Sequence, residues 1–342
     1  LNFLSIDIQK GAERLVRECA GVTSDEQVLV VTDTASIKYG NAIMASASCI
    51  TPQVSMCVIR TYGRLHGQNP PASVGAAMKA ADVVFLVTEW SLAHCQARME
   101  ASRSGVRVLS TAQPDDELFA RTIPEAPFKE MKEVVQTVNR LLTESDEAHI
   151  TTKKGTDLWL DLRGCRNVDL EHGYCLKSPE YREGFAGPPV IEANVAPVEY
   201  KAHGKLVVDA CQAALGILEN EITLIIEEGK IVAVQGGNEA MQMEEILERM
   251  GDPGIYYVAE LGIGLNPRAR LRGRFYEDES IYGTAHIGIG NNASTMGGNL
   301  QVNGHLDNIF WRPTIELDGE TIMSEGRLVY PGAPEIRGFY IK

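Results

Sequence analysis

Between residues 27 and 145, short apolar runs alternate with amphipathic stretches, and no other feature of the chain restricts its fold as strongly. QVLVV (27–31) is a brief β-branched run of the kind buried on both faces of a parallel sheet. Ahead of it, DIQKGAERLVREC (7–19) carries apolar residues at helical spacing. Then follow an Ala-rich helix (36–47), a strand VSMCVIR (54–60), a helix near 72–80 and a strand DVVFLV (82–87). HCQARMEASRSG (94–105) reads as a helix ending on glycine, and VRVLST (106–111) as the next strand. FKEMKEVVQTVNRLLTES (128–145) is the clearest amphipathic helix. Strand–helix alternation of this kind predicts an open parallel α/β layer, placed here over residues 1–147. The first strand runs into TDTASIKYG, which has neither G-x-G-x-x-G nor a Walker lysine, so a nucleotide site is not expected.

From residue 148 to 342 the pattern becomes β-rich, predicting a second, α+β domain. HITTKKGTDLWLDL contains period-two stretches, and ITLIIEEGKIVAVQGG (222–237) reads as a hairpin turning at Glu-Gly. One helix (239–251) ends on glycine, and TIELDGETIM turns at Asp318-Gly319. The stretch 176–198, rich in Pro, Gly and Glu, reads as loop.

The chemistry-bearing residues lie in this second half. Glu260 stands in VAELGIGLNPRA, His286 in TAHIGIGNN, and His305 and Asp307 in NGHLDNIF. His305 and Asp307 are two apart, so an extended segment directs both side chains to one face. Glu260 and His286 are expected at strand ends, projecting into a shared cleft. Carboxylates and imidazoles gathered in a glycine-rich stretch are a ligand set for a divalent metal ion.

Composition narrows the partners. A net charge of −14 opposes binding to nucleic-acid phosphates and anionic lipid. No apolar run reaches the roughly 18 residues that a membrane-spanning helix needs. The seven cysteines are odd in number, scattered and without a C-x-x-C pair, as free thiols of a reducing compartment would be. A soluble cytoplasmic protein that binds neither nucleic acid nor membrane is the resulting expectation; a small molecule or short peptide as substrate comes only with the hydrolase reading below.

Four motifs, NVAPVE (194–199), AELGIGLNPRA (259–269), AHIGIG (285–290) and GHLD (304–307), resemble those of the metallo-aminopeptidases of the aminopeptidase T and S group. They are similar also to the related dihydroxypyridine dioxygenase, and the likeness covers roughly 150–325. The aminopeptidase resemblance implies a ligand set of Glu199, Glu260, His286, His305 and Asp307 for one or two ions of Zn, Mn or Co, with Glu192 a rival to Glu199. It further implies catalytic roles for Glu199 and Glu260, and an assembly of two or more copies. Two departures stand out. Ala293 occupies the position of that family's catalytic tyrosine. GLNPRA and the Gly297-Gly298 pair are closer to the dioxygenase, an Fe(II) enzyme that has a histidine where Glu260 stands and no counterpart of Glu199.

Arg268, Arg270 and Asn291 are candidate substrate-binding residues, the arginines through bidentate contact with a carboxylate. Because both glutamates occupy hydrolase positions, the leading expectation is a metal-dependent hydrolase of an amide or other C–N bond. A ring-cleaving Fe(II) dioxygenase acting on a hydroxylated N-heterocycle is the alternative. A member of the fold without catalysis is the third reading.

Overall fold

The structure is a computed structural model that describes residues 4–61, 67–165, 171–178, 184–293, 297–337 and 339. The chain divides into two compact units: Leu1–Phe128 with Glu171–Val190, and Lys129–Leu170 with Ile191–Lys342.

The first unit is the parallel α/β layer. Its five strands are ordered Val54–Ile59, Val28–Asp33, Val83–Thr88, Arg107–Ala112, Phe185–Ala186, and every neighbouring pair is parallel. The three central strands are buried at every position, as their unbroken apolar runs require. Helices Ile37–Ser48, Ala72–Lys79 and Gln96–Arg103 connect them in sequence. Leu29, Val31, Val84, Leu86 and Val108 pack with Met78, Val74 and Phe185. The helix read at 7–19 begins at Ser5 and widens into a π-helical turn over Leu15–Cys19. Arg107 and Glu26 form a buried ion pair at 2.6 Å.

The second unit holds two largely antiparallel sheets. One has eight strands, ordered Lys230–Gly236, Ile222–Glu227, His203–Val208, Asp157–Asp161, Glu147–Thr151, Thr314–Leu317, Glu320–Ser324, Arg327–Leu328. Two of its hairpins turn at Glu228-Gly229 and Asp318-Gly319, where both residues of each pair have positive φ. The other sheet has six strands, ordered Gly216–Ile217, Cys211–Gln212, His305–Trp311, Thr284–Gly290, Val258–Gly264, Glu192–Val195. Part of the segment expected to be loop, 176–198, therefore pairs as strands: Phe185–Ala186 and Glu192–Val195. These are only two and four residues long, too short for a period to stand out between prolines. Among the described residues no helix is long and apolar enough to cross a membrane.

Leu86 is fully buried in the middle of the parallel sheet. Leu86→Ala should destabilise the protein by about 2–5 kcal/mol, read as a lowered unfolding midpoint in denaturant. A change within ~0.5 kcal/mol would mean that this layer is not packed as described.

Candidate metal centre

Register alone explains why distant residues meet on the six-stranded sheet. Gly262 pairs with His286, Glu260 with Gly288, Gly288 with Asp307, and Gly290 with His305. On the far side of Val258–Gly264, Gly262 pairs with Asn194 and Gly264 with Glu192. Paired residues of antiparallel strands point to the same face. Glu192, Glu260, His286, His305 and Asp307 therefore share one face, each set beside or across from glycine. Glu260 and His286 lie within their strands, not at the strand ends where the sequence suggested.

The glycines make the space. A Cβ on Gly262 would lie 2.0 Å from Nε2 of His286, and one on Gly288 would lie 2.5 Å from Nε2 of His305. No side chain fits in either position, so the imidazoles lie directly over the neighbouring backbone.

Two donor groups result, each with one ligand atom per residue and all such atoms within 4.8 Å: Glu260–His305–Asp307 and Glu192–Glu260–His286. In the first, Nε2 of His305 lies 2.9 Å from Oε2 of Glu260 and 3.0 Å from Oδ1 of Asp307. In the second, Nε2 of His286 lies 3.7 Å from Oε2 of Glu192 and 3.8 Å from Oε1 of Glu260. Glu260 thus turns one oxygen toward each imidazole. Glu192, Glu260, His286 and Asp307 are each at most 6% exposed.

Further contacts orient these groups. Nδ1 of His305 lies 2.8 Å from the carbonyl of Asn291, which as an acceptor fixes the proton there and leaves Nε2 facing the carboxylates. Asn194 donates to Oε1 of Glu192 at 2.8 Å, and its own backbone N–H donates to Asn139 of the helix Phe128–Glu144.

Burial disfavours charge on every one of these groups, and their mutual attraction overrides it. For His286, burial works against the charged form, but Glu192 and Glu260 raise its pKa to about 9. His305 is likewise opposed by burial, yet Asp307 and Glu260 hold it well above the ordinary range. The Glu260 and Asp307 carboxyls, raised by burial, are brought below their usual values by the two imidazoles.

The remaining sequence candidates fall elsewhere. Glu199 is in neither donor group; its Oε1 accepts from the backbone N–H of Asn299 at 2.6 Å. Arg268 and Arg270 are exposed, and their backbone N–H groups donate to Asn266 and Glu277. Asn291 contributes its carbonyl to His305, while its side-chain amide donates to the carbonyl of Val302 at 2.9 Å. Glu192, only a rival in the sequence, joins Glu260 beside His286. Its signal was the alternation in IEANVA, hidden by the surrounding prolines and glycines.

Fold and cluster together define an α/β protein with a buried carboxylate–imidazole centre on an antiparallel sheet. The chain belongs to the 2,5-dihydroxypyridine 5,6-dioxygenase (NicX) family, whose profile matches residues 12–330. It is 28% identical over 267 residues to the 2,5-dihydroxypyridine 5,6-dioxygenase of Pseudomonas putida KT2440, covering 75% of this chain and 73% of that protein. The solved structure of the 2,5-dihydroxypyridine dioxygenase of P. putida KT2440 superposes with a TM-score of 0.83 at 23% identity, over 97% of this chain and 99% of that one. AmpT of Thermus thermophilus shares the fold at a TM-score of 0.65 and 16% identity, over 95% and 99% of the two chains. Both branches named by the sequence motifs are thus represented. The family match overturns the hydrolase expectation, and with it the aminopeptidase-like activity. That expectation leaned on Glu199, which the fold directs to Asn299 and not to the imidazoles.

The electrostatics carry a prediction for metal-free protein. The folded-state pKa of His286, about 9, lies above its ordinary 6.5. Its stabilising contribution is therefore complete below pH 6.5 and is lost as pH rises toward 9. Thermal melts in chelator should show the transition temperature falling across that window, and His286→Asn should flatten the fall. A wild-type profile that is flat or rising from pH 6.5 to 9 would sink this account of the cluster.

Proposed function

We propose that this protein is a metal-dependent dioxygenase that opens the ring of a dihydroxylated N-heterocycle, with Fe(II) held by Glu260, His305 and Asp307. The observation that carries the reading is the convergence of these three donors on one sheet face, in a chain of the 2,5-dihydroxypyridine 5,6-dioxygenase family.

The donor set suits the ion. Imidazole nitrogen and carboxylate oxygen are its ordinary ligands, and two carboxylates balance a divalent charge. The three donors come from two strands of one sheet, Glu260 from one and His305 with Asp307 from the other. Oxygenase triads of this kind usually have two histidines and one carboxylate. Here a glutamate takes one histidine's place, and His286 supplies a second imidazole 3.8 Å from Oε1 of Glu260. When bound, the iron supplies the redox chemistry that lets molecular oxygen react with an aromatic ring.

The chain's own residues have separable tasks. Asn291 holds Nδ1–H of His305, so that Nε2 is the nitrogen left to face a metal ion once it gives up its own proton. Glu192 and Glu260 hold a proton on His286 at neutral pH. His286 with Glu192 is therefore the pair whose chemistry suits proton exchange during ring opening.

A second reading concerns metal number only. The two oxygens of Glu260 face different imidazoles, so Glu260 would be a ligand available to each of two ions, one with His305 and one with His286. Elemental analysis of protein purified without chelator separates the cases: about one ion per chain for the triad, about two for the bridge.

Oxygen consumption on a panel of hydroxypyridines tests the activity. Turnover should need Fe(II) and O2 together, stop under nitrogen, and not be restored by Zn2+. His305→Ala and Asp307→Ala should each lose more than the ~10–100-fold typical of residues outside the ligand set. Product formed without oxygen, or no oxygen uptake with any hydroxylated N-heterocycle, would refute the proposal.

A further inference from the structure

The carboxylate of Glu199 is spent on one loop. Residues 291–304 link the strand Thr284–Gly290 to the strand His305–Trp311. At the base of the loop Asn291 N–H donates to the carbonyl of Gly304 at 2.9 Å. Further out, the fully buried Asn292 organises it. Its backbone N–H donates to the carbonyl of Leu300 at 3.1 Å, its Oδ1 accepts from Leu300 N–H at 2.7 Å, and its carbonyl accepts from Gly298 N–H at 3.1 Å. Oε1 of Glu199 then accepts three donors from this loop: the backbone N–H of Asn299 at 2.6 Å, and the side-chain amides of Asn299 and Asn292, each at 3.4 Å.

The turn that carries Glu199 is itself held under strain. Tyr200, next in sequence, has φ of +65°, a left-handed conformation that costs a bulky residue on the order of 1–3 kcal/mol. It persists because neighbours impose it. Val198 N–H donates to the carbonyl of Asp161 at 2.8 Å, the Tyr200 ring packs edge-on against Tyr257 at 4.9 Å, and Gly229 leaves no room for a Cβ, which would meet the Tyr200 backbone at 2.6 Å. Strain maintained next to one carboxylate points to a task for that carboxylate.

We propose that Glu199 is a positioning residue: it latches Asn299 and Asn292 together so that the Asn291 carbonyl grips Nδ1–H of His305 and keeps Nε2 aimed at Glu260 and Asp307. Its consequence for metal affinity rests on the metal-centre reading above, but the grip on the ring does not. Gly297 and Gly304 have φ of +77° and +124°, conformations that glycine adopts at no steric cost, so side-chain ties at Asn292 and Asn299 do the holding over residues 297–304.

Two substitutions separate a latch from a ligand. Glu199→Gln keeps an oxygen that accepts Asn299 N–H, whereas it removes the charge a metal ligand needs. Glu199→Ala removes both. In metal-free wild type and Glu199→Gln, nitrogen-15 NMR should show a slowly exchanging Nδ1–H on His305; in Glu199→Ala that proton should exchange rapidly. Co2+, used as a spectroscopic probe, should bind wild type and Glu199→Gln within ~3-fold of each other, and Glu199→Ala ~10–100-fold more weakly. If Glu199→Gln loses Co2+ as fully as Glu199→Ala, the residue is a ligand and the proposal is wrong. If Glu199→Ala leaves the His305 proton protected, it is wrong as well. The NMR comparison decides even if no chain binds Co2+, an outcome that would count against the metal reading and leave the latch to be judged on the proton.

Discussion

Buried charge must be compensated, and that requirement governs the six-stranded sheet. Three carboxylates and two imidazoles lie within the protein on one face, where each isolated ion would cost several kcal/mol of lost hydration. The cost is offset because every charged group has an opposite partner within 4 Å: His305 with Glu260 and Asp307, His286 with Glu192 and Glu260. Such proximity needs short paths between side chains, hence glycine at 262 and 288, where any Cβ would collide with an imidazole. The alternation of glycine and polar residue in these strands is therefore a consequence of packing five titratable groups over bare backbone. Removing one partner would leave a charge with neither water nor counter-ion, so the five groups act as a unit.

How much of this could be read from the sequence varied with the range of the interactions. The parallel layer was legible because its signals are local: each strand is an unbroken apolar run and each helix carries its own stripe. His305 and Asp307 were legible as a pair because a separation of two in a strand fixes their common face. The remaining geometry depends on register between segments far apart in sequence. Pairing of Gly262 with Asn194, 68 positions away, is what carries the Glu192 strand to the site, and no periodicity encodes that partnership. Glu192 was obscured further by a four-residue strand set among prolines. Glu199 was selected by its place in NVAPVE, but spacing along a motif does not reveal a left-handed residue at 200 that turns the chain and sends the carboxylate to Asn299.

The correction from hydrolase to dioxygenase has a physical lesson in the same place. An acid-rich set of five residues, counted along the sequence, looked like a hydrolase's site for one or two metal ions. In the fold the count is still five, but its membership changes: Glu192 enters and Glu199 leaves for the loop. A carboxylate near a metal motif can ligate, pair with an imidazole or hold a loop. Which of these it does depends on the donors that reach it first. Backbone N–H at 2.6 Å commits Glu199 to the loop, whereas the buried strand position of Glu192 leaves it beside an imidazole.

Glutamate at 260 also sets the electrostatic character of the centre. With histidine there, the group facing His305 would be a base without formal charge, and Asp307 would be the one carboxylate left beside His305. With glutamate, two negative charges flank Nε2 of His305 and a third, Glu192, stands behind His286. In the absence of a metal ion, that excess is relieved by protons, which is why both imidazoles are held in the charged form. A divalent cation that needs the lone pair of His305 must first displace a proton bound more tightly than on an ordinary imidazole. The same acidity that attracts the ion also stores the protons it competes with, and the Asn291 carbonyl, by keeping one of those protons on Nδ1, determines which nitrogen of His305 gives its proton up.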